Sequence, residues 1–141
     1  ARAVAPPPDP LDDVTQTTLS VDDTAEIVRL LERRFPDIAG PRKSDICYAT
    51  TNRQDAVKKI APGADLVLVI GSPASSNSNR LVDTALKAGA RAARLLESPA
   101  DIDLSAIGGD VLGITAGASA PEALVEELLT RLAGAFRLRI E

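Results

Sequence analysis

Short apolar runs and apolar residues at helical spacing alternate along this chain. Residues 66–70 are all aliphatic and mostly β-branched, which predicts a parallel strand buried on both faces. Residues 92–96 and 110–115 predict two further strands, and residues 14–19 form a short β-type run. Because strands alternate with helical segments, the pattern predicts an α/β protein with parallel sheets and right-handed crossovers.

Four segments carry apolar residues at helical spacing and are bounded by helix start or stop signals. The predicted helices are residues 21–35, a segment from Thr51 to a stop at Pro62-Gly63, residues 77–88 and residues 119–132. Three begin with predicted capping boxes, which are Ser20 with Asp23, Thr51 with Gln54 and Ser119 with Glu122. The first helix is predicted to bury a stripe made of Ile27, Leu30, Leu31 and Phe35.

Composition narrows the class of protein. Of the 141 residues, 45% are hydrophobic but only 2% are aromatic, so the core must be aliphatic. The net charge of −4, with basic residues interspersed among acids, argues against a nucleic-acid surface. Since no apolar run approaches the roughly 20 residues that span a bilayer, the sequence predicts a cytoplasmic protein with no membrane segment.

The two ends of the chain differ from its middle. Residues 1–10 contain four prolines and are predicted to form an extended linker or a poorly ordered edge. Residues 136–140 alternate like an edge strand. Because the chain contains no Met, we expect a fragment that starts past the initiator.

Three places share one design, in which a strand runs into a polar turn that opens a helix. They are Thr15-Gln16-Thr17-Thr18 with Ser20, Ser75-Ser76-Asn77, and Thr115 with Ser119. Hydroxyl and amide donors beside free helix amides can hold phosphate oxygens without a lysine. Any one of these turns is more often an ordinary helix cap, but three at strand ends favour a phosphate site.

Cys47 is the only cysteine, and the chain has no histidine. One cysteine excludes an internal disulfide and a self-contained metal site, because such a site needs three or four ligands. A lone cysteine in a cytoplasmic protein is usually a small buried hydrophobe. Its position just before a predicted helix start instead favours a thiolate, with Arg53 close by in sequence. The residues alone leave both interpretations open.

Longer motifs carry a specific resemblance. They are Thr15-Gln16-Thr17-Thr18-Leu19-Ser20-Val21-Asp22-Asp23-Thr24, Ile46-Cys47-Tyr48-Ala49-Thr50-Thr51-Asn52-Arg53-Gln54, Ser75-Ser76-Asn77-Ser78-Asn79-Arg80-Leu81, and Thr115-Ala116-Gly117-Ala118-Ser119-Ala120-Pro121. In order and spacing they closely resemble consecutive motifs of the IspH/LytB family of 4-hydroxy-3-methylbut-2-enyl diphosphate reductases. The resemblance covers nearly the whole chain after the proline-rich start.

This resemblance implies a fold, a cofactor and a reaction. The family's three-layer α/β lobes, with helices on both faces of parallel sheets, surround a [4Fe–4S] cluster held by one cysteine from each lobe. By resemblance Cys47 is the third cluster ligand. Thr17 matches a threonine near the substrate hydroxyl and the proton-delivery network, and the residues that match the diphosphate site are Ser75, Ser76, Asn77 and Ser119. The family reductively removes the C4 hydroxyl, with electrons from a ferredoxin- or flavodoxin-type donor.

The resemblance also predicts the domain organisation and what is missing. Residues 1–43 would end the second lobe, residues 44–131 would form the third, and residues 132–141 would form a tail strand. The other two cysteines, the pocket histidines and the catalytic glutamate belong to the family's N-terminal part, so we expect this chain alone to be inactive. Asp12-Asp13 and the prolines depart from the apolar strand usual there. The alternative is a degenerate, non-redox module that binds a diphosphate or phosphosugar.

Overall fold

A computed structural model describes residues 12–40 and 46–140 of the chain. Within these residues the four helices are α1 Val21–Arg34, α2 Tyr48–Ile60, α3 Ser76–Lys87 and α4 Glu122–Ala135. The same ranges contain three strands, β1 Leu66–Ile70, β2 Ala93–Leu96 and β3 Leu112–Ala116, and two short 3-10 turns at Pro99–Asp101 and Leu104–Ala106. The predicted proline-rich linker and the boundary predicted between residues 43 and 44 lie outside the described residues.

The three strands form one parallel sheet in the order β2-β1-β3. All five residues of β1 are buried, as its unbroken apolar sequence predicts for a central strand. Val67 pairs with Ala93 on one side and with Gly113 on the other. Because the strands are parallel, their carboxyl ends lie at one edge, and the turns after them begin there.

Helices cover both faces of the sheet. On one face, α2 and α3 pack Val57, Leu81 and Ala85 against the Val67 and Val69 side of β1. On the other face, α4 packs Leu128 and Leu132 against Leu66, Leu68 and Ile70. Each fully buried Leu, Ile or Val contributes roughly 1.5–3 kcal/mol of transfer free energy. The predicted three-layer α/β class is confirmed.

The first helix is placed differently from the other three. No residue of α1 is buried, and Ile27 and Leu30 of the predicted stripe are 57% and 56% exposed. That part of the prediction is wrong, because within the described residues no element packs over these side chains. The predicted strand at residues 14–19 is also wrong. Residues 17 and 18 form a turn, and the isolated bridge nearby joins Asp12 to Ala39, outside residues 14–19, so there is no ladder to extend.

The end of the described chain also departs from prediction. Helix α4 continues to Ala135, and residues 137–140 form no strand. The predicted tail strand is wrong because an edge strand needs a neighbour, whereas Leu138 and Ile140 are 38% and 76% exposed. No helix among the described residues has the length and apolar character needed to cross a membrane.

Candidate functional site

Two of the predicted polar turns meet at the carboxyl edge of the sheet. The turn after β1 begins with Gly71, and the turn after β3 begins with Gly117. Gly117 N donates to Ile70 O at 2.8 Å, and Gly71 N donates to Leu96 O at 3.0 Å. These bonds hold both turns to the ends of the ladder, so the Ser75 and Ser119 segments start side by side.

The turn from Ser72 to Ser75 is fixed by its own polar groups. Ser75 is the N-cap of α3, and its Oγ accepts a hydrogen bond from Ser78 N at 3.3 Å. Asn79 Nδ2 donates to Pro73 O at 2.8 Å and to Ser75 O at 2.9 Å. Ser76, the first helical residue, is exposed. The amides of this first helical turn, together with these hydroxyls, form a rigid set of donors suited to an anion.

Asn77 and Ser78 contain polar atoms that are buried without partners. Asn77 is 6% exposed, and neither Oδ1 nor Nδ2 has a hydrogen-bond partner among the described residues. Ser78 is 1% exposed, and its Oγ is also unpartnered. An unmet buried polar group costs roughly 1–3 kcal/mol. The turn is therefore arranged for a partner that these residues do not supply.

Small residues are required where the two turns approach each other. A side chain at either Gly71 or Gly117 would collide with the Ser78 hydroxyl. The glycines let Ser78 lie between the two turns and let both backbones come close to it. The spacing of the turns thus depends on Gly71, Ser78 and Gly117 together.

Ser119 does not cap α4 as its sequence predicts. The N-cap is Pro121, without a side-chain hydrogen bond, and the helix begins at Glu122. Because the helix starts later than the predicted box requires, Ser119 lies two residues before the N-cap and is exposed. Its hydroxyl has no partner within the described part of the chain, and it remains available to a ligand.

Cys47 is exposed and is the N-cap of α2, which begins at Tyr48, three residues before the start predicted at Thr51. Its Sγ lies 3.0 Å from Thr50 Oγ1. That hydrogen bond is the largest cause that lowers the pKa of the Cys47 thiol, followed by the Thr50 amide, while the charge of Arg53 adds less. The interpretation of Cys47 as a buried hydrophobe is therefore wrong, and the thiolate-favouring interpretation is supported.

The turn that carries Thr17 lies beside Cys47. Cys47 N donates to Thr17 O at 3.3 Å. Gln54 makes no capping box with Thr51, since Thr51 already lies inside the helix. Its Oε1 accepts from Val21 N at 3.0 Å and its Nε2 donates to Leu19 O at 2.8 Å.

Arg53 connects the same helix to the sheet edge. Its Nε donates to Ala116 O at 3.0 Å, at the last residue of β3. Sequence reasoning gave Arg53 no structural contact and Gln54 only a local one. One signal could have revealed Gln54, because Thr50, Gln54, Val57 and Ala61 share one helix face, and a glutamine on a buried face needs distant partners.

Metal-binding groups are sparse in the described chain. Among residues 12–40 and 46–140, no group of three His, Cys, Asp or Glu side chains is placed to hold a metal ion. Cys47 is the single thiol, with its Sγ facing Thr50. Any cluster that includes Cys47 must take its other ligands from elsewhere.

Comparisons with known proteins agree on one family. A family model described as LytB protein matches residues 4–133. The 4-hydroxy-3-methylbut-2-enyl diphosphate reductase of Gluconobacter oxydans is 59% identical over all of this chain, and that of Hyphomonas neptunium is 60% identical over 91% of it. The structure of E-1-hydroxy-2-methyl-but-2-enyl-4-diphosphate reductase from Plasmodium falciparum superposes on 94% of the chain with a TM-score of 0.86 and 38% identity. The chain spans 43%, 41% and 42% of these three proteins, respectively.

Proposed function

This chain belongs to the LytB protein family, and from that premise we propose that it supplies the diphosphate cradle and one cluster ligand of a 4-hydroxy-3-methylbut-2-enyl diphosphate reductase. The observation that carries the proposal is the meeting of two polar turns at one sheet edge, where the Asn77 amide is buried without a partner. Relatives at 59% and 60% identity are named as this reductase, which favours it over the binding-only module.

The diphosphate is held by hydroxyls and amides in this proposal. Ser75, Ser76, Asn77 and Ser119 donate hydrogen bonds to its oxygens, assisted by the amides at the start of α3. A helix N-terminus carries roughly half a positive charge, so a site of this kind can hold an anion without a lysine. The substrate is a small-molecule allylic diphosphate.

The donor chemistry of Cys47 fits one ligand of an iron–sulfur cluster. The thiol is exposed at a helix N-cap, and its lowered pKa favours the thiolate that binds iron. When bound, a [4Fe–4S] cluster supplies the electron transfer, and a ferredoxin- or flavodoxin-type protein is the proposed donor. Two further cysteines must come from outside the described residues.

Proton delivery falls to the turn beside Cys47. We assign the Thr17 hydroxyl to the substrate hydroxyl, which leaves as water when two electrons and two protons enter. The products are isopentenyl and dimethylallyl diphosphates. The bond from Cys47 N to Thr17 O supports this assignment because it keeps that turn beside the thiol.

The lobe assignment belongs to the same proposal. Residues 1–43 end a second lobe and residues 44–131 form a third, so the diphosphate turns and Cys47 lie in the third lobe while Thr17 lies in the second. By itself the chain supplies one thiolate, and the proposal predicts that residues 1–141 alone hold no stable cluster and are inactive. Anaerobic reconstitution that yields a stoichiometric cluster on this chain alone would contradict it.

The decisive experiment uses the full product of the gene that carries this chain. The sequence upstream of Ala1 is expected to encode two more cysteines in α/β lobes. Wild-type protein is expected to hold about four irons per chain and to reduce the substrate, whereas Cys47→Ser should lose the cluster signal in EPR and the activity with it. Thr130→Ala is the control, because Thr130 is exposed on α4 about two turns beyond its start. A Cys47→Ser protein with full iron content would overturn the assignment.

A further inference from the structure

Two adjacent residues of α2 reach two different turns of the proposed site. We infer that Gln54 is a positioning residue for the turn that carries Thr17, and that Arg53 is a positioning residue for the turn that carries Ser119. The inference rests on the proposed function and goes beyond it, because neither residue contacts the substrate or the cluster in that proposal.

The Gln54 side chain uses both ends of its amide. It is 1% exposed, accepts from Val21 N at 3.0 Å, and donates to Leu19 O at 2.8 Å. Leu19 closes the turn of Thr17, and Val21 opens α1. A side chain that only filled space could be replaced by methionine, but the donor and acceptor pair requires the amide. Gln54 therefore fixes where this turn lies relative to α2.

Arg53 makes the equivalent link on the other side. Its Nε donates to Ala116 O at 3.0 Å, one residue before Gly117 and three before Ser119. The Nε–H lies along the stem of the guanidinium, and lysine has no donor at that point. The Ala116 carbonyl is thus held by α2, while the next amide, Gly117 N, is held by Ile70 O.

Neighbouring positions on a helix point about 100° apart, so the two side chains diverge. Cys47, at the start of the same helix, donates its backbone N–H to Thr17 O. One helix therefore sets both turns relative to the thiol. Since the turns have different proposed roles, disturbing each should change a different kinetic constant.

The test uses the full gene product and separates kcat from KM. Gln54→Met preserves volume and is expected to lower kcat about tenfold or more through a misplaced Thr17, with KM within about twofold of wild type. Arg53→Lys preserves charge and is expected to raise KM, and the Kd for inorganic pyrophosphate measured by calorimetry, about tenfold, with kcat nearly unchanged. Lys59→Gln, on an exposed position of α2, is the control.

Two further measurements report on structure directly. The Val21 amide, which donates to Gln54, should exchange its hydrogen faster in Gln54→Met and not in Arg53→Lys. Iron content and the EPR signal should match wild type in both variants. If Gln54→Met does not fold, Gln54→Glu replaces it, because it keeps the acceptor for Val21 N, while its ionised carboxylate has no donor for Leu19 O and adds a negative charge there.

Each outcome decides the inference. Variants that change the same constant by the same factor, that leave both constants unchanged, or that lose iron in proportion to activity would overturn it, because the helix would then act as general scaffold. Inactive wild-type protein would overturn the proposed function together with this inference. Active wild-type protein without the kcat and KM split would overturn the inference alone.

Discussion

Two parts of the molecule are stabilised in different ways. The sheet unit consists of the three strands with α2, α3 and α4, and the α1 segment consists of residues 12–40. Around β1, Leu68, Leu81 and Leu128 are almost fully buried between the sheet and its helices. Helix α1 buries none of its residues and is joined to the unit by polar contacts. Lys58 Nζ lies 2.7 Å from Asp22 Oδ2, and Lys87 Nζ lies 2.9 Å from Asp23 Oδ1.

This difference has a functional meaning in the proposed reductase. The diphosphate turns follow strands of the sheet unit, where packing holds them. Thr17 precedes α1 and depends on Gln54 and on the bond from Cys47 N for its place. The sheet unit therefore carries the proposed diphosphate-binding groups, and the α1 segment carries Thr17, the proposed proton-delivery residue.

The largest expected effect is on the free energy of unfolding, when one leucine is truncated in each of the two parts. Leu128→Ala is expected to lower the free energy of unfolding by about 3 kcal/mol, because it leaves a cavity against the sheet. Leu30→Ala, on an exposed face of another helix, is expected to change it by no more than about 0.5 kcal/mol. Both values come from urea unfolding of residues 1–141. Equal losses would show that α1 is packed in solution and would remove the contrast.

The next largest expected effect concerns Asn77, one of the proposed diphosphate-binding residues of the sheet unit. Asn77→Asp places a carboxylate where the proposed diphosphate lies and removes a donor. It is expected to raise KM in the full gene product about tenfold or more, through repulsion and a lost hydrogen bond. Asn52→Asp, at an exposed position of α2, introduces the same charge as a control. Steady-state kinetics with circular dichroism as the folding check measures both, and an unchanged KM in Asn77→Asp would count against the cradle.

Prediction from the sequence succeeded where the cause is local. The unbroken apolar run of β1 and the polar turn that opens the next helix specify their own structure. Both appear as expected, although α3 begins at Ser76, one residue before its predicted start. The predicted burial of Ile27 and Leu30 was wrong, because burial depends on a partner surface and the periodicity of a sequence does not reveal one. The prediction of a tail strand was wrong for the same reason, since alternating apolar and polar residues at positions 136–140 do not supply a neighbouring strand.

The candidate site was predicted by residue type more than by geometry. Helix-terminus chemistry indicated Ser75, Asn77 and Ser119, but the capping rule misplaced the starts of α2 and α4. The contacts of Arg53 and Gln54 were missed because the partner of Arg53 lies 63 residues away and those of Gln54 lie 33 and 35 residues away. Only the fold brings those segments together.

The cause of the lowered thiol pKa can be tested at Cys47, which lies where α2 meets the turn that carries Thr17. Thr50→Val removes the hydrogen bond that is the main cause of the lowered thiol pKa. The pKa should then rise, so alkylation by iodoacetamide at neutral pH should slow, because the thiolate is the nucleophile. Thr51→Val is the matched control, since its hydroxyl bonds the Cys47 carbonyl at 3.4 Å and not the sulfur. A pH series of alkylation rates on residues 1–141 gives both pKa values, and equal shifts in the two variants would rule out the Thr50 hydroxyl as the cause.

The smallest expected effect concerns the ion pair that joins α1 to α3. The hydrogen bond from Lys87 is the largest cause that lowers the pKa of Asp23 below its ordinary value of 3.8, with the charges of Lys87 and Arg80 adding to it. Because the folded-state pKa is depressed, the stabilisation is present above about pH 4 and is lost as the pH falls through the lowered value. Asp23→Asn should therefore cost at most about 1 kcal/mol at pH 7, less in 1 M salt, and progressively less as the pH falls through the lowered pKa. Urea unfolding from pH 7 downward measures the effect, and a cost that does not decrease with pH would show that Asp23 stabilises α1 through packing or its link to Ser20 rather than through charge.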